Sequence, residues 1–146
     1  MIAQEAAESY QAPIHDAASS ADATMLRRAL ENGVSPDAVD RFGNTPLLLL
    51  CCRNLKRSGD YVACFELLRE AGANLEATDS AGHTPLHEAA DSGCLELLSL
   101  LIQSGVNVDT SSDGYTALHF AARGHHELAG SEYVCCVDAL LAAGAS

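Results

Sequence analysis

Residues 82–109, "GHTPLHEAADSGCLELLSLLIQSGVNVD", hold a Thr-Pro pair, an apolar run containing His87, a glycine at Gly93, a second apolar run and a closing glycine at Gly105. Thr before Pro is a helix N-cap followed by the one helical position that tolerates a missing N–H, so a short helix starts at Thr84-Pro85. Apolar residues at 95, 97, 98, 100, 101 and 102 give a second, more broadly buried helix that stops at Gly105. With a turn at Ser92-Gly93, the stretch reads as a helical hairpin. His87, close to Glu88 and Asp91, raises the question of a reactive or metal-binding site.

The pattern recurs, and the recurrence answers most of that question. "APIHDAA" (12–18), "TPLLLLC" (45–51), "TPLHEAA" (84–90) and "TALHFAA" (116–122) are one heptapeptide written four times, and a second marker ends each unit at Gly33, Gly72, Gly105 and Gly144. These glycines lie 39, 33 and 39 residues apart, a basic period of 33 with insertions. Units two and four carry six or seven extra residues between their two markers, around "RNLKRSGD" (53–60) and "RGHHELAGSE" (123–132). Between units, segments such as "VSPDAVDRFGNT" and "ANLEATDSAGHT" place Asp and Gly at turn positions and read as β-turns or short hairpins projecting from the stack. The hairpin after Gly105 is one residue shorter than its predecessor, since Gly105 to Gly114 spans 9 residues and Gly72 to Gly82 spans 10.

Composition sets the outer bounds. The 146 residues include 48% hydrophobic but only 5% aromatic residues, with no Trp, which implies a core of small aliphatic side chains in closely spaced layers. Twenty acidic against eight basic side chains, a net charge of −12, repel nucleic-acid phosphates and anionic membranes and favour a protein partner with a basic surface. The N-terminus lacks a signal-peptide pattern, and "LLLLCC" is far shorter than the ~20 residues of a membrane span. Six cysteines, two pairs of them adjacent in helical runs, read as reduced, buried thiols of a cytoplasmic or nuclear protein, because neighbouring helical side chains point apart.

The TPLH, AA and closing GA motifs at this period resemble the ankyrin repeat family, over residues 11–146 and without pointing to an individual member. The resemblance implies an all-α solenoid of stacked helix-turn-helix units with projecting hairpins. The expected organisation is a leader at 1–10 and repeats at about 11–39, 40–78, 79–109 and 110–146. It also implies a concave face, lined by turn tips and first helices, that binds other proteins. Unit one lacks the Thr and the preceding turn, as expected of an N-terminal cap; unit two has Leu48 in place of His, and unit four has Ala117 in place of Pro. The chain stops at Ser146 just after its fourth glycine marker, so a piece of a longer protein is expected, the alternative being that "CCVDALLAAGAS" is itself a cap.

Chemistry is weighed against this architecture. His15, His87 and His119 share one position of the heptapeptide, so each is expected to bond the Thr hydroxyl or turn backbone and to register one unit on the next. One repeat step, roughly 10 Å by helix-packing distance, is too far for them to share a Zn²⁺. His125-His126 with Cys135-Cys136 is the sharpest alternative, a Zn or Cys/His set in unit four. Adjacent pairs do not match the spacings that turn two side chains toward one ion. Neither a phosphate-binding glycine loop nor a nucleophile elbow is present. The expectations are no catalysis, no cofactor and no metal.

What varies between units is where a partner is expected to touch. The turn tips offer Arg41, Phe42, Asn44, Ser80, Ala81, His83, Ser112, Asp113 and Tyr115, and the first helices and adjoining loops offer Cys52, Arg53, Glu88, Asp91 and Arg123. Phe42 and Tyr115 have the chemistry of interface anchors, unless Phe42 folds back on its own hairpin. Arg53, Lys56 and Arg57 form a basic cluster that is either a solvated loop or a contact, to an acidic partner segment or to Asp91. The expected function is a monomeric interaction scaffold or adaptor. A kinase-inhibitor type regulator is the runner-up, loosely suggested by size, four units and acidity.

Overall fold

The computed structural model describes residues 14–51, 60–124 and 131–145. Eight helices occur among them: α1 (residues 14–20), α2 (Ala23–Glu31), α3 (Pro46–Cys51), α4 (Tyr61–Glu70), α5 (Pro85–Ser92), α6 (Leu95–Gln103), α7 (Ala117–Gly124) and α8 (Ser131–Ala142). No strand forms among the described residues beyond an isolated antiparallel bridge between Ser112 and Tyr115. First helices pack on first helices, α3 on α5 and α5 on α7, while second helices form a parallel layer through α2–α4, α4–α6 and α6–α8 contacts. The expected all-α stack is therefore the observed one.

Local chemistry explains each boundary. Thr84 Oγ1 accepts from His87 N, and the His87 ring in turn accepts from Thr84 N, a reciprocal cap at the start of α5. Thr45 caps α3 through Leu48 N at 3.3 Å. Two caps were not singled out in the sequence: Asp22 accepts from Met25 N and Asp60 from Ala63 N, starting α2 and α4. Asp60 reads in sequence as the tail of an insertion, but its place directly before "YVACFELL" is the signal of an N-cap. The glycines that close the four second helices all adopt positive φ, between 86° and 94°.

The core is one apolar layer between the two rows of helices. Leu47, Leu50, Phe65, Leu68, Leu97, Leu98, Leu101 and Leu140 are fully buried, with Ala89, Ala90 and Ala121 letting first helices approach closely. Cys136 falls where unit three has Leu97 and is buried as expected; Val137 packs on the same core. Cys51 and Cys64 are buried too, whereas Cys135 faces solvent, a departure from the expectation of buried thiols. Its exposure follows from adjacency, since burying Cys136 turns its helical neighbour outward.

Hairpins hold the units in register. Asp37 Oδ1 accepts from Asn74 N at 2.8 Å, Glu76 Oε1 accepts from Asn107 N at 2.9 Å, and Ser112 Oγ donates to Ala81 O at 3.0 Å. The two longer hairpins turn through Asp40–Gly43 and Asp79–Gly82, whose aspartates each accept two backbone N–H groups within the turn. The shorter third hairpin closes with Asp113 and Gly114 both at positive φ (50° and 83°) between Ser112 and Tyr115. A two-residue loop of the type I′ kind demands that backbone, and Asp-Gly is a sequence that adopts it. The one-residue difference in spacing thus becomes a change of turn type.

Candidate binding face

Three hairpin tips and the adjoining first helices place most of the expected contact residues on the surface. Phe42 is 67% exposed and Tyr115 57% exposed. Phe42 does not fold back: the Arg41 guanidinium lies 5.5 Å from its ring centroid, so the pair forms an aromatic-cation tip. Arg41, Ser80, Asp113 and Arg123 are exposed, and Asn44, His83, Glu88 and Asp91 are half-buried. Ser112 is a correction: its side chain is buried and committed to Ala81 O, because the tighter turn points it at the preceding hairpin instead of outward. Cys52, Arg53, Lys56 and Arg57 lie outside the described residues, as do His125 and His126.

Units three and four draw several of these residues together around one ring that the sequence reading passed over. Phe120 is nearly buried, with His83 and His87 each 5.2 Å away between ring centroids and the Arg123 guanidinium 5.1 Å from its centroid. Tyr115 stands edge-on to His119 at 5.7 Å and to Phe120 at 6.5 Å. Arg123 reaches Asp91 of unit three at 3.5 Å, so Asp91 is paired across a unit boundary by α7. A signal for Phe120 was available, because it occupies in "TALHFAA" the variable place that Glu88 holds in "TPLHEAA".

His87 belongs to the scaffold. Its Nδ1 accepts from Thr84 N at 3.0 Å, which leaves the proton on Nε2 to be donated to Thr110 O at 2.8 Å in the segment leading to the next unit. Burial pushes its pKa below the ordinary imidazole value, opposed in part by the bond to Thr110, so the ring is neutral near pH 7. His15 makes the corresponding bond to Ala38 O at 2.8 Å, and His119 bonds Thr116 through Nδ1. His83 is different: its Nδ1 lies 3.6 Å from Asp79 Oδ2 and 3.4 Å from Glu88 Oε1, a mixed nitrogen and oxygen cluster at the root of a turn tip.

Paired helices in two layers, with hairpins projecting from one edge, define a helical-repeat solenoid, the class whose members recognise partners through an extended face. Family models described as ankyrin repeats match residues 14–57 and 55–145. The chain belongs to the ankyrin repeat family. It is 34% identical over 145 residues, 99% of its own length, to an ankyrin repeat domain-containing protein of Stachybotrys chartarum, of which it covers 7%. Over 86 residues, 59% of its length, it is 37% identical to an ankyrin repeat protein of Variola virus, covering 14% of that protein. Similarity to inversin of Mus musculus is 32% over 117 residues, 79% of this chain and 10% of inversin. The chain thus spans at most about a seventh of the length of each of these relatives. Ankyrin repeats generally mediate protein–protein interaction and are typically not enzymes. Among the described residues no helix is long and apolar enough to cross a membrane.

Proposed function

We propose that this chain is a protein-binding scaffold whose turn tips and first helices form the contact face, and that its partner presents a basic segment with apolar side chains. The observation that carries this reading is the outward display of Phe42 and Tyr115, large aromatic rings left in solvent at the tips of a protein otherwise poor in them. Rigid aromatic anchors contribute most of the affinity in such faces, and surrounding charges set encounter rate and orientation. Negative charge for a basic partner comes from the net charge of −12, with Asp113 exposed beside Tyr115. Arg41 and Arg123 lie against Phe42 and Phe120 and give the face two fixed donors for partner carbonyls or carboxylates. The scaffold acts as a monomer in the cytoplasm or nucleus.

The test is affinity capture from a cell extract with wild type, Phe42→Ala and Tyr115→Ala, followed by mass spectrometry. Each substitution is expected to reduce recovery of the same partner at least about tenfold, the scale of an interface anchor worth 1.4 kcal/mol or more. Equal recovery by all three proteins refutes the anchor assignment. Retention of binding at high salt refutes the basic-partner component, since screening weakens attraction between exposed charges.

A further inference from the structure

We propose that Asp79, His83 and Glu88 form a binding site for a divalent transition-metal ion, with Zn²⁺ the ion that suits it best. Sequence spacing did not point to this site, because one donor comes from the start of a turn, one from its end and one from the first turn of α5, and the residues 79, 83 and 88 match no common ligand motif.

The donor atoms are already gathered. Asp79 Oδ2, His83 Nδ1 and Glu88 Oε1 all lie within 4.8 Å of one another, and the two edges that meet at Nδ1 measure 3.6 and 3.4 Å. An ion held at Zn–N and Zn–O bonds of ~2.1 Å in a tetrahedron separates its ligands by roughly 3.4 Å, close to the two edges at Nδ1, and the third edge, between the carboxylates, closes from within 4.8 Å by side-chain rotation. One imidazole and two carboxylates neutralise a dication. The nitrogen donor selects the Zn²⁺-type ions over Ca²⁺ and Mg²⁺, which take oxygen.

Supporting contacts orient the set. Asp79 Oδ1 accepts from Ala81 N and His83 N, both at 2.9 Å, which fixes the carboxylate plane and turns Oδ2 toward the imidazole. The His83 ring is held edge-on by Phe120. His87, though its ring is 6.2 Å away, is not a fourth ligand, since both of its nitrogens are engaged by Thr84 and Thr110. Water completes the coordination. His83 would bind the ion through the lone pair of an unprotonated Nδ1.

Calorimetric titration of the reduced, chelator-treated full chain with Zn²⁺, and with Co²⁺ read by absorption, tests the site. One Zn²⁺ per chain is expected. His83→Ala and Glu88→Gln should each weaken it at least about tenfold, the lower end of what even supporting residues contribute, with helical content unchanged by circular dichroism. The double variant His125→Ala/His126→Ala and the variant Cys135→Ser should bind like wild type, and the Co²⁺ spectrum should lack a thiolate charge-transfer band. The proposal is overturned by the absence of saturable binding, by wild-type affinity in His83→Ala, or by binding that is lost only in the 125/126 or Cys135 variants.

Discussion

His87 shows how far a single residue's chemistry can be read from its recurrence. Beside two acidic side chains it resembles a catalytic or metal-ligating histidine; its repetition at His15 and His119 makes it part of the scaffold, and the bonds to Thr84 and Thr110 are what that position predicts. Replacing it by Leu, which fills the same slot in unit two as Leu48, removes both bonds and leaves Thr110 O without that donor. A loss of about 1–3 kcal/mol in denaturant unfolding is expected. Because the folded-state pKa is lowered, the unfolded chain takes up a proton below about pH 6.5 that the buried ring refuses, so wild type loses stability as pH falls through that value toward the folded-state pKa. Unfolding midpoints at pH 7.5 and 5.5 should therefore differ less in His87→Leu than in wild type. Gly93 is the C-cap of α5. It sits at φ 70°, and an added Cβ would come 2.9 Å from the Tyr133 ring. Gly93→Ala should cost at least about 2 kcal/mol, against about 1 kcal/mol for Gly105→Ala, whose Cβ meets nothing within 4 Å. The turn glycine was legible in the sequence; the Tyr133 ring packed on it was not, because that contact crosses from unit four to unit three and depends on how the units stack.

At the scale of elements, helices were the most legible feature and hairpins the least. Thr-Pro starts and glycine stops mark α5 and α6 directly, since capping and backbone freedom are properties of the residue types themselves. The hairpins are set by turn geometry that residue types alone do not reveal: a one-residue shortening changes a three-residue loop into an Asp113-Gly114 turn and rotates Ser112 from tip to interface. Phe120 escaped for a related reason, because an aromatic residue in a helix reads as core until its neighbours across the unit boundary are known. Burial, with Asp60 and Asp22 nearby, pushes the Cys64 thiol up to about 11, so at neutral pH it stays protonated as well as covered. Brief alkylation of the native chain followed by peptide mass spectrometry should modify Cys135 before Cys51, Cys64 and Cys136. Early labelling of Cys64 would contradict the packing of α4 against its neighbours.

For the whole molecule, the stack's fold follows from period and capping alone, whereas the binding face we propose follows from what breaks the period. Repetition identified the residues that hold units together; exposure then separated Phe42 and Tyr115, which remain available, from Ser112, which does not. Arg53 and its basic neighbours fall outside the described residues, so the part of the face nearest unit two rests on Arg41, Phe42 and Asn44. In the reading we propose, recognition runs through the turn tips and first helices rather than through the second-helix layer. The most direct measurement is the dissociation constant of the captured partner for four proteins: wild type, Phe42→Ala/Tyr115→Ala, and Arg27→Ala and Glu70→Ala on exposed positions of α2 and α4. At least about a hundredfold weakening in the double variant is expected, corresponding to two anchors of roughly 1.4 kcal/mol each, with the second-helix variants within about twofold of wild type. Unchanged affinity in the double variant, or a loss confined to Arg27→Ala or Glu70→Ala, would contradict it.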